Sequence, residues 1–211
     1  MHRPVFALFF LLLTINVSGQ NLLRNPSFEA GEPSPSKTPH PWINPENSFR
    51  TPPDIHGSDT DWFGVQLQAA DGDQFLGLAV RGDGTKESVS QRITRRVEVG
   101  TTYRLSLYAT QSPVFEGGIR YIEDDTLRSN TADFINPTVL EIWVGMDSYC
   151  MTGKRLYRSL PIVPGEWTLH EVTFTLDAPY RFLLIGADFP FPDDPEYGHV
   201  LIDDVRLVAI D

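Results

Sequence analysis

One cysteine, Cys150, is all the sequence offers for disulfide chemistry, so no internal disulfide can form. A lone thiol reads in two ways: as a buried small hydrophobe, the commoner fate of free Cys, or as a reactive group that pairs between chains. Positive charge is scarce too, with 17 Lys+Arg against 28 Asp+Glu and a formal net charge of −11. An acidic surface attracts neither a phosphate backbone nor an anionic lipid, which argues against nucleic acid and membrane surfaces as partners. Beyond the first twenty residues no long apolar run occurs, so no transmembrane insertion is expected. Catalytic signatures are missing as well. The five His (His2, His40, His56, His170, His199) show no H-E-x-x-H spacing, no G-x-S-x-G elbow marks an acyl-transfer serine, and Gly-rich phosphate loops are absent. No repeat or low-complexity linker divides the chain, and no pattern sustains a helix beyond two turns.

What is present begins with an export signal. His2 and Arg3 form a short polar start, Val5 to Ile15 is almost unbroken apolar sequence, and Val17, Ser18 and Gly19 put small residues where a signal peptidase reads. Residues 1–19 are therefore expected to be a signal peptide, and 20–211 a single exported domain in the periplasm, on the cell surface or secreted. With 41% hydrophobic residues and 21% charged ones, that domain can bury a core and is not disordered.

The mature segment is patterned in twos. Thr101 to Thr110 sets Tyr103, Leu105, Leu107 and Ala109 on one face, with Arg104, Ser106 and Tyr108 opposite. Val139 to Val144 puts Leu140, Ile142 and Val144 together, with Glu141 and Trp143 opposite. Gln74 to Val80, Glu87 to Ile93, Trp167 to Leu176, Tyr180 to Ala187 and His199 to Ile210 repeat the theme. Seventeen Pro and sixteen Gly fall mostly between these runs, the punctuation of an antiparallel sandwich. Two sheets packed face to face is the expected closure. Gly31 to Thr60 and Ser112 to Pro137 read as long loops, the second able to cover Trp143. Arg81-Gly82-Asp83, the adhesion tripeptide, reads as an ordinary β-turn.

The two ends of the domain carry the sharpest signal. By strict alternation Asp203 shares a face with Leu201, Val205, Leu207 and Ala209, which aims a carboxylate inward. A buried carboxylate must be paired, protonated or metal-bound. Glu29, just after Phe28 in the opening segment, is its expected neighbour. Two acids meeting there either share a hard cation, for which oxygen ligands favour Ca²⁺, or accept hydrogen bonds from backbone amides or Arg.

Asn25-Pro26-Ser27-Phe28-Glu29-Ala30-Gly31 and Ile202 to Leu207 (IDDVRL) resemble the opening and closing motifs of galactose-binding-domain-like jelly rolls, a superfamily that includes many carbohydrate-binding modules. Ala69 to Val80, Val97 to Ala109 and Gly165 to Leu176 are similar to three further elements of that superfamily, in the right order. The opening is especially similar to modules of exported Bacteroidota proteins. This resemblance implies an all-β, two-sheet antiparallel jelly-roll sandwich, a structural Ca²⁺ held by Glu29, Asp203 and either Asp73 or a backbone carbonyl near it, and a glycan as partner.

Sugars stack on flat aromatic faces while amides, acids and Arg read their hydroxyls. Trp143 with Glu141, Tyr108 with Arg104, and Trp62 with Phe63 are the candidate ligand-binding residues; Gln91 and Asp188 are possible polar partners. Trp42 and Trp167 are assigned to structure. The expected function is a non-catalytic, exported polysaccharide-binding module. Two alternatives stand beside it: a cell-envelope structural or adhesion component that binds protein, and a glycoside hydrolase using the same face.

Overall fold

A computed structural model describes residues 19–45, 52–123, 126–149 and 153–210. Most of the expected signal segment, residues 1–18, and Cys150 lie outside the described residues.

The alternating runs become strands of two antiparallel sheets. In the five-stranded sheet the order is β1 (Asp54–Gly57), β2 (Gln74–Val80), β11 (Gly198–Ala209), β4 (Thr102–Thr110) and β9 (Thr168–Thr175). In the four-stranded sheet it is β3 (Ser88–Arg92), β10 (Phe182–Asp188), β7 (Val139–Gly145) and β8 (Lys154–Arg158). Tyr103, Leu105, Leu107 and Ala109 of β4 face Leu140, Ile142 and Val144 of β7 across a core completed by Leu76, Leu78, Val89, Leu183, Ile185, Val200 and Ile202. Burying each such side chain contributes about 1.5–3 kcal/mol, so this interlayer core is what holds the sandwich closed. A single 3₁₀ turn, Trp62–Gly64, is the helical content among the described residues, and none of their helices is long and apolar enough to cross a membrane.

The opening segment does not form a strand, yet it is laced to the closing one. The Leu22 amide donates to the Leu207 carbonyl at 2.8 Å and the Val205 amide to the Pro26 carbonyl at 3.0 Å. The Asn21 side chain adds bonds to Val205 and Leu207.

Three features depart from the sequence expectation, the first being that Gly31 to Thr60, expected as a long loop, contains the edge strand β1. Ser112 to Pro137 contains a β-hairpin, β5 (Glu116–Glu123) with β6 (Thr126–Asp133). It does not lie over Trp143. Its base, through Phe115 and Phe134, roofs the outer face of the five-stranded sheet in a second apolar cluster with Val65, Phe75, Ala79 and Leu201. The closing strand also breaks its alternation. Asp204 adopts φ +47°, and the register against β4 shifts between Asp203 and Arg206. This bulge returns Val205 and Leu207 to the interlayer core alongside Val200 and Ile202, whereas Leu201 and Asp203 point to the opposite, outer side. Asp203 is thus fully buried but not in the core that strict parity assigned it.

Candidate functional site

The expected ligand-binding residues divide between the two outer faces of the sandwich. On the four-stranded sheet, pairing aligns Ser90 of β3, Leu184 of β10 and Trp143 of β7 in one row, and Ser88, Gly186 and Glu141 in the next. Trp143 and Glu141 both face outward, as alternation predicts. The Trp143 indole N–H donates to Glu141 Oε2 at 3.1 Å, which fixes the ring. Glu141 Oε1 accepts from Arg155 at 2.8 Å and from Arg158 at 2.5 Å, and the Arg155 guanidinium lies over the indole, 5.6 Å from its centre.

Arg158 also bonds Asp188 at 2.7 Å, and Lys86 pairs with the other Asp188 oxygen. Burial alone would raise the Asp188 carboxyl, but the hydrogen bonds from Lys86 and Arg158 outweigh it and hold the group below the usual carboxylate range. The face is therefore an aromatic ring set in a network of fixed charges. The crevice beside the ring, lined by Lys86, Ser88, Leu184 and Gly186, holds only about 30 Å³, room for a water molecule. A ligand here lies on an open surface. The Ser88 and Ser90 hydroxyls are buried in it with no hydrogen-bond partner among the described residues.

Tyr108 and Arg104 belong to the other sheet. They sit on the outer face of β4, where Arg104 approaches Glu171 of β9 at 3.7 Å across half-exposed side chains. That separation and exposure make the pair weak. Phe63 is a packing residue: it stacks on Phe115 at 4.9 Å and meets His56 edge-on at 6.4 Å. Trp62 beside it remains 37% exposed. Gln91 is buried, with its amide bonded to the Arg24 backbone. Trp42 donates to the Asn25 carbonyl and packs on Phe28, and Trp167 donates to the Gln68 carbonyl, both structural as assigned. The Arg81-Gly82-Asp83 segment is a turn, closed by the Arg81 amide on the Thr85 carbonyl at 2.9 Å. Its Arg81 guanidinium is turned inward onto buried Glu87 at 2.7 Å.

At the joined termini, Glu29 and Asp203 converge on the turn Asp71-Gly72-Asp73. Glu29 Oε1 accepts the Asp73 and Gln74 amides at 2.8 and 2.7 Å, and Gly72, at φ +72°, leaves room for that carboxylate. Asp203 accepts the Asp71 amide at 2.8 Å and the Asp204 amide at 2.7 Å, while Ser27 bonds Asp71 at 2.7 Å. Burial pushes the Asp203 carboxyl up to about 7 despite the amides that favour its charged form. Among the described residues no three His, Cys, Asp or Glu side chains are grouped to hold a metal ion. As they stand, these carboxylates are satisfied by backbone amides, and Asp73 contributes its N–H.

Histidine placement escaped the sequence pattern. His56 and His199 are buried in the outer aromatic cluster. The His199 Nδ1–H donates to the Phe134 carbonyl, and its Nε2 accepts the Ser112 amide at 2.9 Å, which defines a neutral tautomer. Burial lowers it to about 4. His56 stacks on Phe75 at 5.2 Å with neither ring nitrogen bonded among the described residues; burial, then the nearby His199, lowers it to about 3.

No protein-family model matches the sequence, and no curated protein matches it. Solved structures share its architecture. The carbohydrate-binding module TmCBM61, solved in complex with β-1,4-galactotriose, aligns over 90% of this chain and 99% of its own at 13% identity and a TM-score of 0.52. A cyclase from Fischerella sp. TAU aligns over 92% of this chain and 98% of its own at 15% identity and 0.56. The Stig cyclase Fisc from the same organism, solved with (3Z)-3-(1-methyl-2-pyrrolidinylidene)-3H-indole, aligns over 90% and 96% at 17% identity and 0.54. Identities this low establish the fold alone, which supports chemistry of more than one kind. The chain folds as an antiparallel jelly-roll β-sandwich of the kind found in carbohydrate-binding modules.

Proposed function

We propose that this protein is an exported, non-catalytic carbohydrate-binding module that engages a glycan on the outer face of its four-stranded sheet. The observation that carries this reading is Trp143: an outward indole locked by Glu141 and ringed by the charged groups of Arg155, Arg158, Asp188 and Lys86. A flat ring beside fixed donors and acceptors suits the mixed apolar and hydroxylated surface of a pyranose. The carboxylates of this face favour recognition over acid catalysis. Glu141 and Asp188 share Arg158, and Asp188 is held ionised, whereas a glycosidase requires one carboxyl poised to donate a proton. Export rests on the apolar N-terminal segment and its small-residue end.

Affinity electrophoresis or calorimetry against a panel of soluble polysaccharides tests the reading. Binding is expected, and Trp143→Ala should weaken it at least tenfold with an unchanged melting temperature. Absence of binding across the panel, or turnover of a bound glycan that disappears with Glu141→Gln, refutes it. Calcium at the Asp71 turn is a separate proposal, supported by the burial of Asp203 beside Asp71 with no cationic side chain bonded to it among the described residues. A chelator should lower the melting temperature and Ca²⁺ restore it; an unchanged melt rejects the ion.

A further inference from the structure

A concavity far larger than the crevice at Trp143 lies elsewhere among the described residues. It is a cleft of about 630 Å³ at one end of the four-stranded sheet, lined by Arg24, Arg92, Arg95, Arg96 and Arg181 together with Ile93 and Thr94. No carboxylate lines it, and none of the five guanidiniums makes an ion pair or side-chain hydrogen bond among the described residues. In a chain of net charge −11 this is the reverse of what chance placement gives, since acids outnumber bases overall. Like charges lining one cleft repel one another, and that repulsion is relieved when an anion enters.

The backbone bearing these arginines is held in place. The Arg24 amide and carbonyl are clamped by the Gln91 side chain at 2.7 and 2.9 Å. The Thr94 amide and hydroxyl both donate to the Leu22 carbonyl at 2.9 Å. The Ile93 amide donates to the Arg181 carbonyl, and the Arg181 amide to the Gly145 carbonyl, each at 2.9 Å. A fixed backbone keeps the five exposed side chains around one cleft, and each is ordered only when it closes on a ligand. Guanidinium forks match planar or tetrahedral oxyanions with paired N–H groups, which lysine cannot reproduce.

We infer that this cleft is an oxyanion subsite for an acidic polysaccharide, taking the carboxylate or sulfate carried on its sugars. This deepens the carbohydrate-binding reading and rests on it for the identity of the carrier. Arg92 pairs with Phe182, one outward row, about 7 Å, from the Ser90–Leu184–Trp143 row. Cleft and aromatic platform are thus contiguous on one face, and a chain of sugars lying over Trp143 reaches the arginines. A nucleic acid fits less well: among the described residues no aromatic side chain lines the cleft to stack a base.

The test measures binding of the intact protein to polygalacturonate, dextran sulfate, uncharged dextran and galactan, inorganic sulfate, a DNA oligonucleotide and phosphatidylglycerol vesicles. The comparison is with Arg95→Gln/Arg96→Gln and, separately, Arg181→Gln. Expected is binding to polygalacturonate or dextran sulfate that falls at least tenfold in both variants and weakens with added salt, the preferred polymer naming carboxylate or sulfate. If neutral glycans bind as well as acidic ones and neither variant changes this, the subsite is refuted while the carbohydrate reading stands. If inorganic sulfate protects the fold and the variants abolish it, yet no polysaccharide binds, the anion site stands and its glycan carrier is refuted. Tighter, arginine-dependent binding to DNA or vesicles likewise overturns the glycan assignment. No binding of any probe overturns both. Melting temperatures of the variants within a few degrees of the parent exclude misfolding as the cause.

Discussion

His56 offers a sharp test of how the outer aromatic cluster is built. Its ring is stacked on Phe75 and walled by Phe63 and Phe115, with both nitrogens unbonded among the described residues, so the imidazole is neutral in the folded protein and titrates near 3. In the unfolded chain it titrates near the ordinary value of about 6.5. Because the folded value is the lower one, the stabilisation that follows from the neutral ring is complete above pH 6.5. It is lost progressively as pH falls from 6.5 toward 3, since only the unfolded state takes up the proton. The slope is about 1.4 kcal/mol per pH unit, and the loss at pH 5 is about 2 kcal/mol.

His56→Phe isolates this effect. At pH 8 the substitution removes two unsatisfied buried nitrogens, worth about 1–3 kcal/mol, and crowds Gly77, whose Cα lies beneath the ring, at a similar cost of about 1–3 kcal/mol. The difference from wild type at that pH is therefore small. Between pH 8 and pH 5 it must move by about 2 kcal/mol in favour of the variant, or about 4–8 °C in melting temperature for a domain of this size. Asp203 and Asp54, whose raised carboxyls act in the opposite direction as pH falls, are common to both proteins and cancel. Urea denaturation at pH 8, 6.5 and 5 measures the difference directly. A wild-type-minus-variant difference that is the same at pH 8 and pH 5 refutes the neutral buried histidine.

Other substitutions probe the supports of the two faces. Gly72→Ala places a Cβ against the Glu29 carboxylate on a left-handed backbone, and should cost about 2–4 kcal/mol by denaturant titration. Arg81→Met leaves the Glu87 carboxylate, 2% exposed, beside raised Asp54 without its guanidinium, and should cost about 3–5 kcal/mol, with Arg81→Lys retaining part of it. Phe134→Ala empties the contact between the β5–β6 hairpin, Phe115 and Tyr197, and should cost about 3–5 kcal/mol while leaving glycan binding at Trp143 intact. A loss of binding in that variant would mean that the two outer faces are coupled.

Much of this fold is legible from alternation because one face of each long strand meets the interlayer core. Tyr103, Leu105, Leu107 and Ala109, and Leu140, Ile142 and Val144, are all buried as their spacing requires. Alternation fails where burial does not impose it. Thr126–Asp133 is exposed along nearly its whole length, so its pairing with β5 leaves no apolar period to detect. The bulge at Asp203-Asp204 is invisible for a different reason: the apolar residues on either side of it are periodic in themselves, and only the step between them is displaced. Parity along single strands also sent Trp143 and Tyr108 outward correctly, but parity says nothing about which sheet a strand joins. β7 and β4 lie in different layers, so two outward aromatics face opposite directions.

Charge shows the same limit of an average. A net −11 excludes a protein that attracts polyanions over its whole surface, and the closing of acids and bases at Glu141, Asp188 and Glu87 shows where several bases are neutralised. Arg92, Arg95 and Arg96 form a dense basic run within that acidic chain, and folding joins to them Arg24 from the opening segment and Arg181 from just before β10. The sum over all residues hides this because the field at a site is set by charges within about 10 Å, not by the total. If the cleft takes an oxyanion as proposed, the acidic surround selects against polyanions that cannot place a charge among the guanidiniums.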